Sequence, residues 1–216
     1  MKLLKKEFTL CMHPFCYVAP LLSALVLVPG YPYGVCCFYT ALSIFFVCLT
    51  ARENHDVTYT LMLPVSRGDA VHARVLFCVC LEVLQLLVMG GFILLKYAIG
   101  TMPNPAGLDA GLAMIGEGFI LYALFNLIFF PVFYRDINKP GSAFLFGSVA
   151  MFVWIIGEIV ATYTVPFVQF TLDTQDPLFM REKALFTLGG LALFAAGSYL
   201  AALRAEKKFE TVDLAL

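Results

Sequence analysis

The 216-residue chain is organised as apolar runs separated by short polar stretches, the runs falling at 15–29, 34–51, 75–99, 110–134, 141–165 and 184–203. Each approaches the roughly 20 residues that an α-helix needs to cross a hydrocarbon core of about 30 Å. The pattern predicts an all-α integral membrane protein, one transmembrane domain over 1–216 with six transmembrane helices. Ahead of the first run, residues 1–12 set Leu3, Leu4, Phe8 and Cys11 at helical spacing, with Lys2, Lys5, Lys6 and Glu7 on the other side. That spacing predicts an amphipathic helix lying at the membrane surface. Pro14 follows where a helix can restart. The charged N-terminus has no convincing small-residue cleavage site, so it is expected to be retained as part of the protein.

Composition points the same way. Hydrophobic residues make up 61% and charged residues 13%, against nearer a half and a quarter in soluble domains, so lipid is the solvent for most of the chain. A net charge of −1 and the lack of a basic block with interleaved aromatics set nucleic acid aside as a partner. The seven cysteines lie in the first two-fifths, with no C-x-x-C spacing. They read as small apolar packing residues and not as metal ligands. Charge also orients the chain: eleven of the fourteen Lys and Arg residues fall on the N-terminal side, against Arg181 and Lys183 on the other, with Lys96 near the outer end of the third run. Cations concentrate on the cytoplasmic side. Both termini, including the 204–216 tail, are therefore expected inside a multi-pass plasma-membrane protein.

The most polar internal stretch is 52–74. Ser66 with Asp69 three residues on is a helix-start signal, and Pro64 ends whatever helix precedes it. Two helical pieces follow, at 53–62 and from Arg67 onward, with a bend at Leu63-Pro64-Val65. A bent, partly apolar cytoplasmic knob suits a docking surface. An acidic, polar stretch followed by Leu63-Pro64-Val65-Ser66-Arg67, flanked by Tyr59, Leu61 and Val71, within a six-span layout resembles the permease subunits of ABC-2 type transporters. The resemblance implies that 52–74 is a coupling helix seated on a separate ABC ATPase subunit. It makes Glu53, Tyr59, Leu61, Leu63, Pro64, Val65, Ser66, Arg67 and Asp69 the coupling residues, and puts ATP and Mg in that partner, with no cofactor held by this chain. It also implies a second permease copy, as homodimer or heterodimer, and export of a peptide, drug or lipid-like substrate. No phosphate loop, His-Glu-x-x-His or Gly-x-Ser-x-Gly motif occurs, so no catalytic residue is assigned.

Three acids interrupt the apolar runs: Glu82, Glu117 and Glu158. Charges inside a membrane are costly and face a partner or a wet cavity. Glu117 and Glu158 each lie about 10 Å below the outer end of their span, where they could face one another, or Lys96, across one outer-leaflet cavity. Such a patch reads either as part of a substrate path or as interhelical hydrogen bonding. His13, His55 and His72 are scattered without ligand-spaced neighbours and read as solvated or interfacial. Gly90-Gly91, Gly107 with Gly111, and Gly189-Gly190 read as close-approach surfaces. Two other classes fit the same pattern: an ion-coupled secondary transporter or channel that uses the intramembrane glutamates, and a non-transporting membrane scaffold.

Overall fold

The computed structural model describes residues 2–100 and 102–212. A short helix, α1 (Lys2–Lys6), runs into a π-helical turn at Glu7–Cys11. Phe15–Val18 (α2) then continues as a 3₁₀ stretch, Ala19–Leu27. The two parts meet at a bend of 95° around His13-Pro14. The remaining helices are α3 (Val35–Glu53), α4 (Asp56–Leu61), α5 (Arg67–Ile99), α6 (Leu112–Phe133), α7 (Pro140–Thr164) and α8 (Met180–Glu210), with a π-helical turn at Val168–Leu172 between the last two.

Five of these, α3 and α5 to α8, are long and apolar enough to span a membrane, and the count reaches six when the bent pair is taken as one span. The first span is thus not the regular α-helix expected over 15–29. Pro20 removes a backbone donor, and the backbone tightens to 3₁₀ from Ala19. At about 1.5 Å per α and 2.0 Å per 3₁₀ residue, Phe15–Leu27 reaches only about 24 Å, short of a full crossing. Two other helices outrun their apolar runs: α5 starts at Arg67 and α8 ends at Glu210. A helix satisfies its own backbone groups in water as well as in lipid, so nothing obliges it to stop where its side chains turn polar.

The start of α5 follows from its sequence. The Ser66 hydroxyl accepts from the Asp69 N–H at 3.0 Å, and the Asp69 carboxylate accepts in return from the Ser66 N–H at 3.3 Å. The other end closes at Gly100, whose φ of 76° is the left-handed conformation that glycine adopts without strain. By contrast, α6 has no cap of its own. Asp176, 64 residues away, accepts from the Leu112 N–H at 3.1 Å.

The most intimate helix pair is α6 with α8. A Cβ at Gly190 would collide with the Gly116 carbonyl, and one at Gly116 would lie 2.9 Å from the Thr187 Cα. Small residues let membrane helices approach until backbones touch. Gly190 therefore fills the close-approach role read for it. Gly91 and Gly189, however, face open space, and a Cβ at Gly90 would meet only Ile115 at 3.6 Å. Six of the seven cysteines are buried and Cys80 is half-buried, all as free thiols.

Candidate functional site

At the end of the bundle carrying the 52–74 segment, four charged side chains from separate stretches converge. Asp56, in the first turn of α4, receives Lys6 Nζ at 2.6 Å and Arg74 Nη2 at 2.6 Å. Arg74 also grips Glu7, through Nε to Oε2 and Nη2 to Oε1, and Lys6 lies 3.1 Å from Glu7. Lys6 further donates to the Thr60 hydroxyl at 2.8 Å. Arg74 and Glu7 are each only 3% exposed, so these contacts are sheltered from water and hold α1, α4 and α5 in one unit. Burial opposes the ionised Asp56 carboxylate, but the Arg74 and Lys6 cations outweigh it and hold Asp56 below the usual carboxylate range. Burial likewise opposes the Lys6 ammonium, and Asp56 and Glu7 hold its pKa above the usual value. Glu7, Cys11 and Asp56 offer ligand atoms within 4.8 Å of one another. The cations already occupy the carboxylate oxygens, and burial pushes the Cys11 thiol up to about 11, so the donor set is that of an ion cluster and not of a metal centre.

The nine residues singled out in 52–74 divide by direction. Glu53, Tyr59, Leu63, Pro64, Ser66 and Asp69 are exposed, with Tyr59 58% and Leu63 40% accessible. Leu61 packs against the core, and Val65 is half-buried. Arg67 turns away from the knob: Nη1 donates to the carbonyls of Phe209 at 2.9 Å, Glu210 at 3.2 Å and Val212 at 2.8 Å. It thereby satisfies the end of α8, where orphan carbonyls and the negative end of the helix favour a cation. One turn on, His72 bonds Glu206 at 3.1 Å. Met62, not singled out in the sequence, is the most exposed apolar residue of the knob at 71%. Lys6, Glu7, Asp56 and Arg74 were also missed as a set. The one local hint was an acid, Glu7, among the lysines of the first helix.

Glu117 and Glu158 lie near one another, but Lys96 and Glu82 stand apart from them. Lys96 faces neither Glu117 nor Glu158; it donates to Asp109 at 2.9 Å and to the Tyr33 hydroxyl at 2.8 Å. Glu158 accepts from the Leu108 N–H at 2.5 Å, beside Gly107, whose φ of 125° brings that backbone in. Both Glu117 carboxylate oxygens are buried without a hydrogen-bond partner. Glu82 accepts from Asn126 Nδ2 at 2.9 Å, and the same amide donates to Ser198 at 3.0 Å, tying α5, α6 and α8 together. The segment between α7 and α8 is more than a loop: Asp173 accepts from the Asp109 N–H at 2.7 Å, and Asp176 pairs with Lys183 at 2.7 Å. Burial pushes the Asp173 carboxyl up to about 6.

The family model described as "ABC-2 family transporter protein" matches residues 2–204, nearly the whole chain. The chain belongs to the ABC-2 transporter family. The resemblance carried by Leu63-Pro64-Val65-Ser66-Arg67 is therefore borne out. No curated protein and no solved structure matches the chain. Family membership makes this ABC-2 protein a membrane component of a transport system, and its several apolar helices make it multi-pass.

Proposed function

We propose that the chain is the permease subunit of an ABC-2 exporter, driven by a separate ATPase that docks on the 52–74 segment. The observation that carries this is the build of α4. The helix and the turn after it offer Tyr59, Met62 and Leu63 as exposed apolar anchors, while the helix is pinned through Asp56 to Lys6 and Arg74. A partner pushing on the anchors moves α1 and α5 with them, because separating a buried charge from its partner costs several kcal/mol. The Arg67 contacts extend the linkage to α8. Both termini then lie in the cytoplasm, a second permease copy completes the path, and ATP with Mg is held by the partner. Peptides, drugs and lipid-like molecules are the substrate classes, and the plasma membrane is the site of action.

The test is affinity purification of the full-length chain from the cells that make it, with ATP hydrolysis measured in the eluate. Leu63→Glu puts a charge at the centre of the knob and is expected to cut co-purifying ATPase activity by about tenfold, the loss of one apolar anchor's worth of interface energy. An eluate with no ATPase activity for the unmodified chain, or full activity with Leu63→Glu, overturns the docking proposal.

A further inference from the structure

Several cations at the end of the bundle that carries 52–74 are already engaged. Lys6 and Arg74 pair inside the buried cluster, and Arg67 closes the end of α8. Arg52 lies 3.6 Å from Glu53, and Lys139 lies 3.2 Å from Asp136. Arg135, Arg204, Lys207 and Lys208 differ from these. All four are exposed, and among the described residues none enters an ion pair. Three of them stand on the last two turns of α8, which continues past its apolar run to Glu210. Arg135 follows the end of α6, which meets α8 there with the Tyr134 and Phe209 rings 5.2 Å apart. The acids of the same turns are occupied or distant. Glu206 bonds His72 at 3.1 Å and lies against Gly68, and Glu210 stands about 9 Å beyond Arg204 along the axis.

Position decides what these cations meet. Leu193, Ala196 and Leu200 are exposed on α8 and, at spacings of three and four, share a face with Arg204 and Lys207. That face looks out to lipid, because the side of α8 that packs on the bundle is a different one, carrying the buried Gly190, Gly197, Ala201 and Ala205. Arg204 follows directly on Leu203, where the apolar run ends, and Lys207 and Lys208 lie about 4.5 and 6 Å beyond Arg204. Helical side chains lean toward the N-terminus of their helix. For α8 that is the membrane side, so these long side chains lean back to the bilayer surface. We infer that this edge of the bundle binds the headgroup of an anionic phospholipid, its chains along the Leu193–Leu200 face and its phosphate between Arg204 and Lys207, with Lys208 and Arg135 on the flank. Each Lys or Arg near a membrane surface strengthens the attraction to anionic lipid by about fivefold. A zwitterionic headgroup carries its own ammonium and gains less. An acidic protein surface is the other source of negative charge, but a partner would have to lie against the bilayer to reach a face that is apolar one turn higher up. The inference stands without the permease reading; on the orientation proposed there, this is the leaflet that carries anionic lipids.

The full-length chain, purified in dodecyl maltoside with whatever protein it binds, is titrated with dioctanoyl phosphatidylglycerol and with dioctanoyl phosphatidylcholine, and bound lipid is counted by native mass spectrometry. The two probes share their chains and their phosphate and differ in net charge. Phosphatidylglycerol is expected to bind tighter by about tenfold or more, with the preference shrinking as salt is raised. Arg204→Gln, Lys207→Gln and Lys208→Gln together should bring it down to the phosphatidylcholine level. Lys5→Gln removes an exposed cation elsewhere at the same end and should leave the preference in place. Equal binding of the two lipids, a preference that survives the triple change, or one that Lys5→Gln lowers as much overturns the proposal. So does displacement of phosphatidylglycerol by inorganic phosphate at equal concentration, which would identify an adventitious anion patch. Should the triple variant fail to fold, Lys207→Gln alone is expected to weaken phosphatidylglycerol binding by about fivefold, and unchanged binding then overturns the proposal. Loss of a co-purifying ATPase in the triple variant with the lipid preference intact would assign the patch to the ATPase and sink the lipid site. A lipid preference in a chain that brings down no ATPase sinks the coupled permease alone.

Discussion

The charges at the two ends of the bundle are handled in opposite ways. At the α4 end, the charges of Lys6, Glu7, Asp56 and Arg74 pair with one another within a sheltered cluster, although Arg74 Nη1 has no hydrogen-bond partner among the described residues. At the opposite end, neither Glu117 carboxylate oxygen has a hydrogen-bond partner among the described residues, and Glu158 accepts from the Leu108 amide and the Thr162 hydroxyl. Balanced buried charges fix geometry, since losing one leaves another stranded. At the opposite end no cation plays that part, and Glu158 fixes the Leu108 backbone by a hydrogen bond alone. The ion cluster thus ties α1, α4 and α5 together through charge, whereas the opposite end is held by hydrogen bonds without a cation.

The largest expected effect tests the balanced end. Arg74→Met leaves Glu7 and Asp56 to share Lys6 as their one cation and should destabilise the protein by about 3 kcal/mol, read as a lower thermal unfolding midpoint in micelles and as loss of the co-purifying ATPase. A midpoint within error of the unmodified chain would show that the cluster holds nothing together. Leu63→Glu, which acts on the docking surface and not on the cluster, should lose the ATPase while leaving that midpoint in place.

Glu117→Gln probes the opposite case. Because neither oxygen has a partner to lose, the change should fall within about 1 kcal/mol of zero or be stabilising. A loss as large as that of Arg74→Met would erase the distinction between the two ends.

The smallest effect is a pH dependence. Burial holds Asp173 at about 6, above its ordinary value of 3.8. An acid with a raised pKa binds its proton more tightly when folded, so its contribution is complete below about 4 and is lost as pH rises through about 6. At the other end Asp56 runs the opposite way: its depressed pKa gives a contribution present above the ordinary carboxylate range and lost as pH falls below it. Hydrogen exchange across the segment that buries Asp173, Val168–Leu172, should accelerate between pH 4 and 6 beyond the intrinsic rise, and Asp173→Asn should remove that excess. Exchange that follows the intrinsic rate alone would show that Asp173 does not anchor this segment.

Much of this was legible in the residues. Three apolar runs, at 34–51, 110–134 and 141–165, coincide within two residues with α3, α6 and α7, whereas α5 and α8 run on past theirs into polar sequence. Ser66 and Asp69 announced the start of α5 because a capping box is a contact between residues three apart. The first run misled because hydropathy does not report the 3₁₀ tightening that begins beside Pro20. Arg67 misled too: its partners are carbonyls more than 140 positions later, and no local pattern encodes them.

The sequence by itself determined that this is a multi-pass helical membrane protein of the ABC-2 transporter family, because periodicity, run length, caps and a short motif are all local properties. Only the tertiary structure decided which charges are spent and which are free. Lys96 could have served Glu117, Glu158 or Asp109, and the chain alone offers no way to choose. Packing settles it through distance: an ion pair in a low dielectric is made or lost over a few ångströms, a scale on which one-dimensional spacing says nothing about residues on different helices.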